Sequence, residues 1–307
     1  MKTPRILVVR GGAIGDFIMT LPAIGALRER WPEAHIEILG YPHIIEMAQG
    51  RYYADAVRSI DAKPMAGFFI PGGILDPGLM EYFGDFDLVI SYLFDPDSIF
   101  ANNVRRCGVK QIVEASPRPG ELHAAEHYCK PLESLAIYVE QPAPRLFPNE
   151  ADREAASHFL RHTGREKIVA VHPGSGSEKK NWPPDRLAAV CRWLVDELAA
   201  QLLVVHGEAD ERAVSALREL TVPRPFIGAS GLKLMELAAV LERCALFVGN
   251  DSGITHLSAA VGTPTVAVFG PASLSVWEPR GERVRVVHFG EHDVAQTLQA
   301  IEQIWAS

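Results

Sequence analysis

Short apolar runs alternate along this chain with segments whose apolar residues recur at helical spacing. The first apolar run, at 5–10, is followed by a glycine-rich turn at 11–16 and by a helical pattern at 17–30 that contains Pro22. A buried strand, a tight turn and a helix in this order form the first unit of a parallel sheet. Further strands are predicted at 36–41, 56–60, 88–92 and 109–113, so the first part of the chain is predicted to be doubly wound.

Three prolines within 141–148 interrupt this pattern and mark a linker. A second series follows, with strands predicted at 168–171, 202–205, 246–248, 265–269 and 284–287 and helices at 184–199, 211–220, 233–243 and 254–261. We therefore predict an α/β protein of two doubly wound domains, 1–145 and 146–307. Open parallel sheets bind ligands at the carboxyl ends of their strands, which places the predicted site in a cleft between the domains. The amphipathic segment 293–305 fits either domain.

The segment 64–75 is apolar but is broken by two prolines and three glycines, so it is a poor helix. We interpret it as a loop or short turns at one edge of the first domain. Its apolar side chains either form a lip for an apolar partner, such as an acceptor or a membrane, or pack against the sheet.

Composition narrows the class of function. The 307 residues are 48% hydrophobic and 22% charged, which is typical of a globular protein. A net charge of −8 argues against a nucleic-acid partner, which requires a basic face. The four cysteines lack disulfide or zinc spacing and are predicted to be reduced thiols. Neither a signal peptide nor an apolar run long enough to span a bilayer is recognised, so we expect a cytoplasmic protein.

The turn between the strand 246–248 and the helix 254–261 carries the most candidate chemistry. A helix start offers free N–H groups and the positive end of the helix dipole, which together bind anions. Ser252 and Gly253 are expected to leave these groups unblocked for a phosphate. Asp251 and His256 would add an acceptor and a donor for sugar hydroxyls, so the turn predicts a nucleotide-sugar site. The alternative is that Ser252 only caps the helix and that His256 is a buried helix residue.

The first glycine turn does not match the pattern of a dinucleotide site, so an NAD enzyme is disfavoured. Arg10 stands where the dinucleotide fingerprint requires glycine, and no acidic residue ends the second strand. Asp16 instead places a carboxylate at the start of the first helix. That carboxylate is a candidate base for the proton of an attacking hydroxyl. Its alternative role is to complement the helix dipole.

Lys179 and Lys180 end a loop rich in glycine and serine, 172–178, just before a helix. Cations at this position can neutralise a departing diphosphate without a metal ion. The alternative is a solvated surface pair. His123, Glu126 and His127 match the inverted zinc-protease pattern, but no third ligand is identifiable. We therefore expect no metal site.

These motifs together resemble glycosyltransferase family nine, the heptosyltransferases that build the inner core of bacterial lipopolysaccharide. The resemblance spans positions 15–277 and is carried by ordered pieces at 15–16, 20–23, 172–174, 180–183, 250–256, 269–271 and 277. It implies two facing Rossmann-like domains of the GT-B type. It also implies catalytic roles for Asp16, as base, and for Lys180, which binds the phosphates. Gly12 and Gly15 would lie on the acceptor side, and the donor would be bound by Lys180 together with Gly174, Ser175, Glu208, Asp251, Ser252, Gly253 and His256.

The resemblance further implies a metal-independent, inverting transfer of heptose from ADP-heptose to a lipopolysaccharide core or related lipid-linked glycan, without a cofactor. A cytoplasmic enzyme with this acceptor would contact the inner membrane peripherally. The segment 63–84 is shorter on basic residues than a site for a phosphorylated lipid sugar should be, which leaves the acceptor open. Two alternatives are a nucleotide-sugar epimerase or hydrolase on the same two-domain plan, and a nucleotide-sugar binding protein without turnover.

Overall fold

The computed structural model describes residues 3–161, 163, 167–271 and 275–305, and it divides the chain into two compact units with a boundary between Ala143 and Pro144. The strands of the first unit are β1 (Arg5–Arg10), β2 (His35–Gly40), β3 (Ala56–Ser59), β4 (Leu88–Ser91) and β5 (Gln111–Glu114). Those of the second unit are β6 (Ile168–His172), β7 (Gln201–Val205), β8 (Ile227–Ala229), β9 (Leu246–Asn250), β10 (Thr265–Phe269) and β11 (Val284–His288).

Helices accompany the strands in both units. The α-helices are α1 (Ile14–Arg30), α2 (Pro42–Ile45), α3 (Pro77–Gly84), α4 (Ile99–Arg105), α5 (Ala124–Cys129), α6 (Glu150–Leu160), α7 (Pro184–Asp196), α8 (Glu211–Thr221), α9 (Leu234–Glu242), α10 (Gly253–Ala260) and α11 (Asp293–Trp305). Short 3-10 helices lie at Glu46–Ala48, Lys63–Phe69, Lys130–Leu135, Glu178–Lys180, Glu208–Asp210 and Ser275–Trp277. Within the described ranges, no helix is both long and apolar enough to cross a membrane.

Both sheets are parallel and doubly wound. In the first unit the strand order is β3-β2-β1-β4-β5, so the chain reverses its direction of winding between β1 and β4. In the second unit the order is β11-β10-β9-β6-β7-β8, and the reversal lies between β6 and β9. The crevice at such a reversal, outside the carboxyl ends of the strands, is where open α/β sheets bind ligands.

The first helix begins earlier than the sequence pattern predicts. Helix α1 starts at Ile14 rather than Phe17, because the Asp16 carboxylate accepts a hydrogen bond from the Ala13 N–H and caps the first turn. The preceding turn is therefore shorter than expected. The helix also continues through Pro22, whose lost hydrogen bond is offset by burial of most of the helix surface against the first unit.

The apolar segment 64–75 combines the two arrangements that the sequence allowed. It contains a short 3-10 helix at Lys63–Phe69, and Met65, Phe68 and Leu75 are buried in the core of the first unit. The Asn103 side-chain amide donates hydrogen bonds to the Phe68 and Ile70 carbonyl groups and holds the segment in place. Ile74 points outward and is 96% exposed. One face of the segment therefore belongs to the core of the first unit, and the other face is exposed to solvent.

Some elements are absent from the sequence prediction. The strand β8 has only three residues and contains a glycine, so it shows no apolar run. The short helices α3 and α4 and the 11-residue helix α6 were also not predicted. Helix α11 packs on the second unit, where Ala300, Ile301 and Ile304 join the core. The four cysteines are free thiols, as predicted.

We expect Phe68→Ala to destabilise the first unit by about 3–5 kcal/mol, because it leaves a cavity among buried aromatic side chains. Ile74→Ala in the same segment is the matched control and should change stability by less than about 0.5 kcal/mol. Denaturant unfolding followed by circular dichroism measures both. Equal effects from the two variants would show that the segment is not anchored by its inner face.

Candidate active site

One buried amide connects the loops at the carboxyl ends of β6 and β9. Asn250 is the last residue of β9, and its Nδ2 donates to the carbonyl oxygens of Pro173 and Gly174 at 2.9 and 3.2 Å. Its Oδ1 accepts a hydrogen bond from the Trp182 backbone N–H at 3.0 Å. The loop after β6, the lysine-containing segment and the turn after β9 are therefore joined by a single side chain.

The structure brings Lys180 and Asp251 together at this point. Lys180 Nζ lies 2.8 Å from Asp251 Oδ2, and the two side chains are 33% and 6% exposed. Lys179, the neighbouring lysine, is exposed. The two adjacent lysines therefore differ in structure, since Lys180, the one that the family resemblance singled out, pairs with Asp251 and Lys179 points to solvent.

The turn before α10 has the strand, turn and helix arrangement that the sequence predicts, with one correction. Ser252 does not leave all the first N–H groups of the helix unblocked, because its Oγ accepts a hydrogen bond from the Thr255 N–H at 3.3 Å. Ser252 is thus the N-cap, and Gly253 is the first helical residue. His256 is buried, as the alternative interpretation of the turn allowed.

The backbone of the loop after β6 passes close to the side chain of Asp210. A Cβ on Gly174 would lie 1.7 Å from Oδ1 of Asp210, so only glycine fits there without a shift of Asp210. Ser175 Oγ lies 2.6 Å from both the Ser177 carbonyl oxygen and Asn181 Oδ1, which ties the loop to the lysine segment. Glu208 follows β7 at the same end of the sheet and is exposed.

His172 is the last residue of β6, and its side chain forms a hydrogen bond with the end of β7. Its Nδ1 lies 2.9 Å from the Val205 carbonyl oxygen. A carbonyl oxygen only accepts, so Nδ1 carries the proton and donates. Burial lowers the pKa of His172 from its usual value of 6.5, despite the opposing effect of this hydrogen bond. The ring is therefore neutral at neutral pH and acts as a fixed link between β6 and β7.

In the first unit, Asp16 is the third residue of α1 and is 27% exposed. Its Oδ2 accepts the Ala13 N–H at 2.8 Å, and its Oδ1 lies 3.3 Å from Nη2 of Arg10. Gly12 has φ +106°, and a Cβ there would lie 2.9 Å from Asp16 Oδ2. Gly15 is inside the first turn of α1. Asp16 does complement the helix start, but its carboxylate is also held by a cation.

Arg10 is the residue that sequence reasoning used only to exclude a dinucleotide site. It is buried and donates to Thr20 Oγ1 at 3.0 Å and to the Tyr128 hydroxyl at 2.9 Å. Burial raises the pKa of Tyr128 to about 12, although Arg10 opposes this shift. The hydroxyl therefore keeps its proton and donates to the Pro117 carbonyl oxygen. No local sequence signal pairs Arg10 with Asp16 or Tyr128.

The two histidines of the zinc-protease pattern form hydrogen bonds with the backbone instead. His123 Nδ1 accepts the Ala125 N–H at the start of α5, and His127 Nε2 lies 2.8 Å from the Ser116 carbonyl oxygen. Across the described residues, no group of three or more His, Cys, Asp or Glu side chains is arranged to hold a metal ion.

Comparison with known sequences identifies relatives along nearly the whole chain. The lipopolysaccharide heptosyltransferase 3 of Escherichia coli (strain K12) is 23% identical, with 94% of this chain and 89% of the relative covered. The lipopolysaccharide heptosyltransferase 2 of Salmonella typhimurium is 24% identical, with coverages of 97% and 93%.

Solved structures agree on the fold. The glycosyl transferase family 9 structure from Veillonella parvula superposes with a TM-score of 0.81 at 22% identity and covers 100% of this chain and 99% of its own. The E. coli heptosyltransferase WaaC with ADP superposes with a TM-score of 0.72 at 18% identity, with coverages of 98% and 99%. The predicted α/β fold with two Rossmann-like domains of the GT-B type is confirmed.

The sequence model of glycosyltransferase family 9 (heptosyltransferase) matches residues 103–303, which is more than half of the chain. The match includes the loop after β6, the lysine segment and the turn before α10. The chain therefore belongs to glycosyltransferase family 9, and it is a heptosyltransferase-like glycosyltransferase.

Proposed function

We propose that this enzyme transfers a heptose from ADP-heptose to a hydroxyl of a lipopolysaccharide core or related glycan, with inversion and without a metal ion. The observation that carries the proposal is the cluster in which Asn250 joins the loops around the Lys180–Asp251 pair at the start of α10. The support from relatives is that they are lipopolysaccharide heptosyltransferases, and that one solved structure is of the E. coli heptosyltransferase WaaC with ADP.

In this proposal the second domain, 146–307, binds the donor. The diphosphate lies between Lys180 and the start of α10, where a cation and the helix dipole act on the same anion. When the nucleotide sugar binds, Lys180 releases Asp251 and contacts a phosphate oxygen. Asp251 is then free to accept a hydrogen bond from a hydroxyl group of the nucleotide sugar. The other donor contacts come from Gly174, Ser175, Glu208, Ser252, Gly253 and His256.

In this proposal the first domain, 1–145, presents the acceptor to Asp16. The acceptor oxygen forms a bond to the anomeric carbon as the bond from that carbon to the diphosphate breaks. Asp16 takes the proton of the attacking hydroxyl, and ADP leaves with its negative charge stabilised by Lys180. A lipid-linked acceptor would place the reaction at the cytoplasmic face of the membrane, with peripheral contact.

ADP-heptose and a deacylated lipopolysaccharide core should give ADP and an elongated core at the same rate with and without EDTA. Mass spectrometry of the core and an assay of released ADP measure the two products. UDP-glucose serves as the control donor and should give little product. Loss of activity in EDTA that a divalent ion restores would refute the metal-free mechanism, and release of ADP without elongation would indicate a hydrolase.

Lys180→Ala should lower kcat by the factor that corresponds to losing about 2–4 kcal/mol of transition-state stabilisation, as expected for one preorganised group that acts on developing charge. Lys179→Ala removes the same chemical group from an exposed neighbouring position and should leave turnover nearly unchanged. Steady-state kinetics with saturating donor compares the two. Small and equal losses would mean that neither lysine acts on the leaving group.

Asp16→Asn should reduce transfer by about 10²–10⁴-fold, since the amide cannot take a proton at neutral pH. Donor affinity should persist, because the donor is bound by the other domain. Asp152→Asn is the matched control, because Asp152 caps α6 from the same third helical position. It should alter the melting temperature without altering turnover. A fully active Asp16→Asn enzyme would leave Asp16 with a structural role alone.

A further inference from the structure

We propose that Asp293 and Trp182 are positioning residues that set the location of Lys180. The inference rests on the role of Lys180 in the proposed function. Asp293 is the first residue of α11, far along the chain from the lysine segment, and neither it nor its contact with Trp182 is among the residues identified from the sequence.

The buried Asp293 carboxylate accepts hydrogen bonds from three groups. It is 1% exposed, and its Oδ2 accepts the Trp182 indole N–H at 2.9 Å and the Gly290 N–H at 3.2 Å. The same oxygen forms an ion pair with Arg186 in the first turn of α7. One carboxylate therefore holds the chain on the C-terminal side of Lys180 at two positions, Trp182 and Arg186.

Trp182 is fixed at both its main chain and its side chain. Its backbone N–H donates to Asn250, and its indole ring is buried in the core of the second unit and hydrogen-bonded to Asp293. Lys180 lies two residues before this double anchor. A lysine side chain is flexible and presents a point charge, so the position of its backbone decides where that charge is delivered. A displacement of about 1 Å at a reacting centre can reduce the rate by about 10²-fold.

The charge of Asp293 is maintained by its partners. Burial acts to raise the pKa of Asp293, but the hydrogen bonds from Trp182, Gly290 and Arg186 outweigh it and hold the pKa below its usual value. A buried ion pair is a weak source of stability, because desolvation opposes the attraction between the charges. What the carboxylate contributes clearly is geometry, since it joins the start of α11 to the stretch 182–186 that follows Lys180.

Trp182→Phe tests the inference, because it removes the indole N–H while keeping an aromatic ring in the core. We expect kcat to fall on the order of tenfold, with a smaller change in donor KM. Trp193→Phe is the matched control, because Trp193 packs against the same core from α7, and it should keep the parental kcat. Asp293→Asn is a second variant that keeps the size of the side chain, and it should reduce kcat in the same direction.

The decisive comparison repeats both changes in a Lys180→Ala enzyme under single-turnover conditions. If Trp182 and Asp293 act through Lys180, neither change should reduce the residual rate further. A reduction by the same factor in both backgrounds, or a parental kcat for Trp182→Phe, would overturn the inference while leaving the role of Lys180 intact. If Lys180→Ala alone had the parental rate, the proposed role of Lys180 would be wrong, and the inference would be wrong with it.

Discussion

The loops at the carboxyl ends of β6 and β9 are held together by the hydrogen bonds of one buried side chain, Asn250. An amide offers two N–H donors and a carbonyl acceptor on one planar group. The structure uses both kinds, because the donors bind two carbonyl groups of the loop after β6 and the acceptor binds the Trp182 N–H. Aspartate would present only acceptors to those carbonyl groups, and a hydroxyl would not reach all three partners. This amide therefore ties the loop after β6 to the segment that follows Lys180.

Each domain holds a charged candidate residue against an opposite charge at the end of its central strands. Asp16 is held by Arg10 in the first domain, and Lys180 by Asp251 in the second. A side chain that is already oriented loses less conformational entropy when substrate arrives. In both cases the buried partner is the less accessible member of the pair, and Asp16 and Lys180 are the more exposed members.

The strands were predictable because parallel strands covered on both faces appear as nearly continuous apolar runs. The apolar run at 265–269 coincides with β10, and the predicted start of β6 is the observed one. The ordered motifs also allowed the family to be recognised. The strand β8 was missed because it lacks an apolar run. Pro22 removes a hydrogen bond inside α1, but the burial of the helix outweighs that cost. Local propensity is a weak guide where tertiary burial decides.

The sequence by itself determined the alternating elements, the glycine turns and the identity of the charged residues beside them, because these depend on local spacing and backbone preference. Only the tertiary structure decided which of those residues meet. Asn250 binds Trp182 across 68 positions, Trp182 binds Asp293 across 111, and Arg10 binds Tyr128 across 118. Such pairs form because the order of strands in a sheet brings distant loops to one edge, and no local pattern of hydrophobic and polar residues encodes that order.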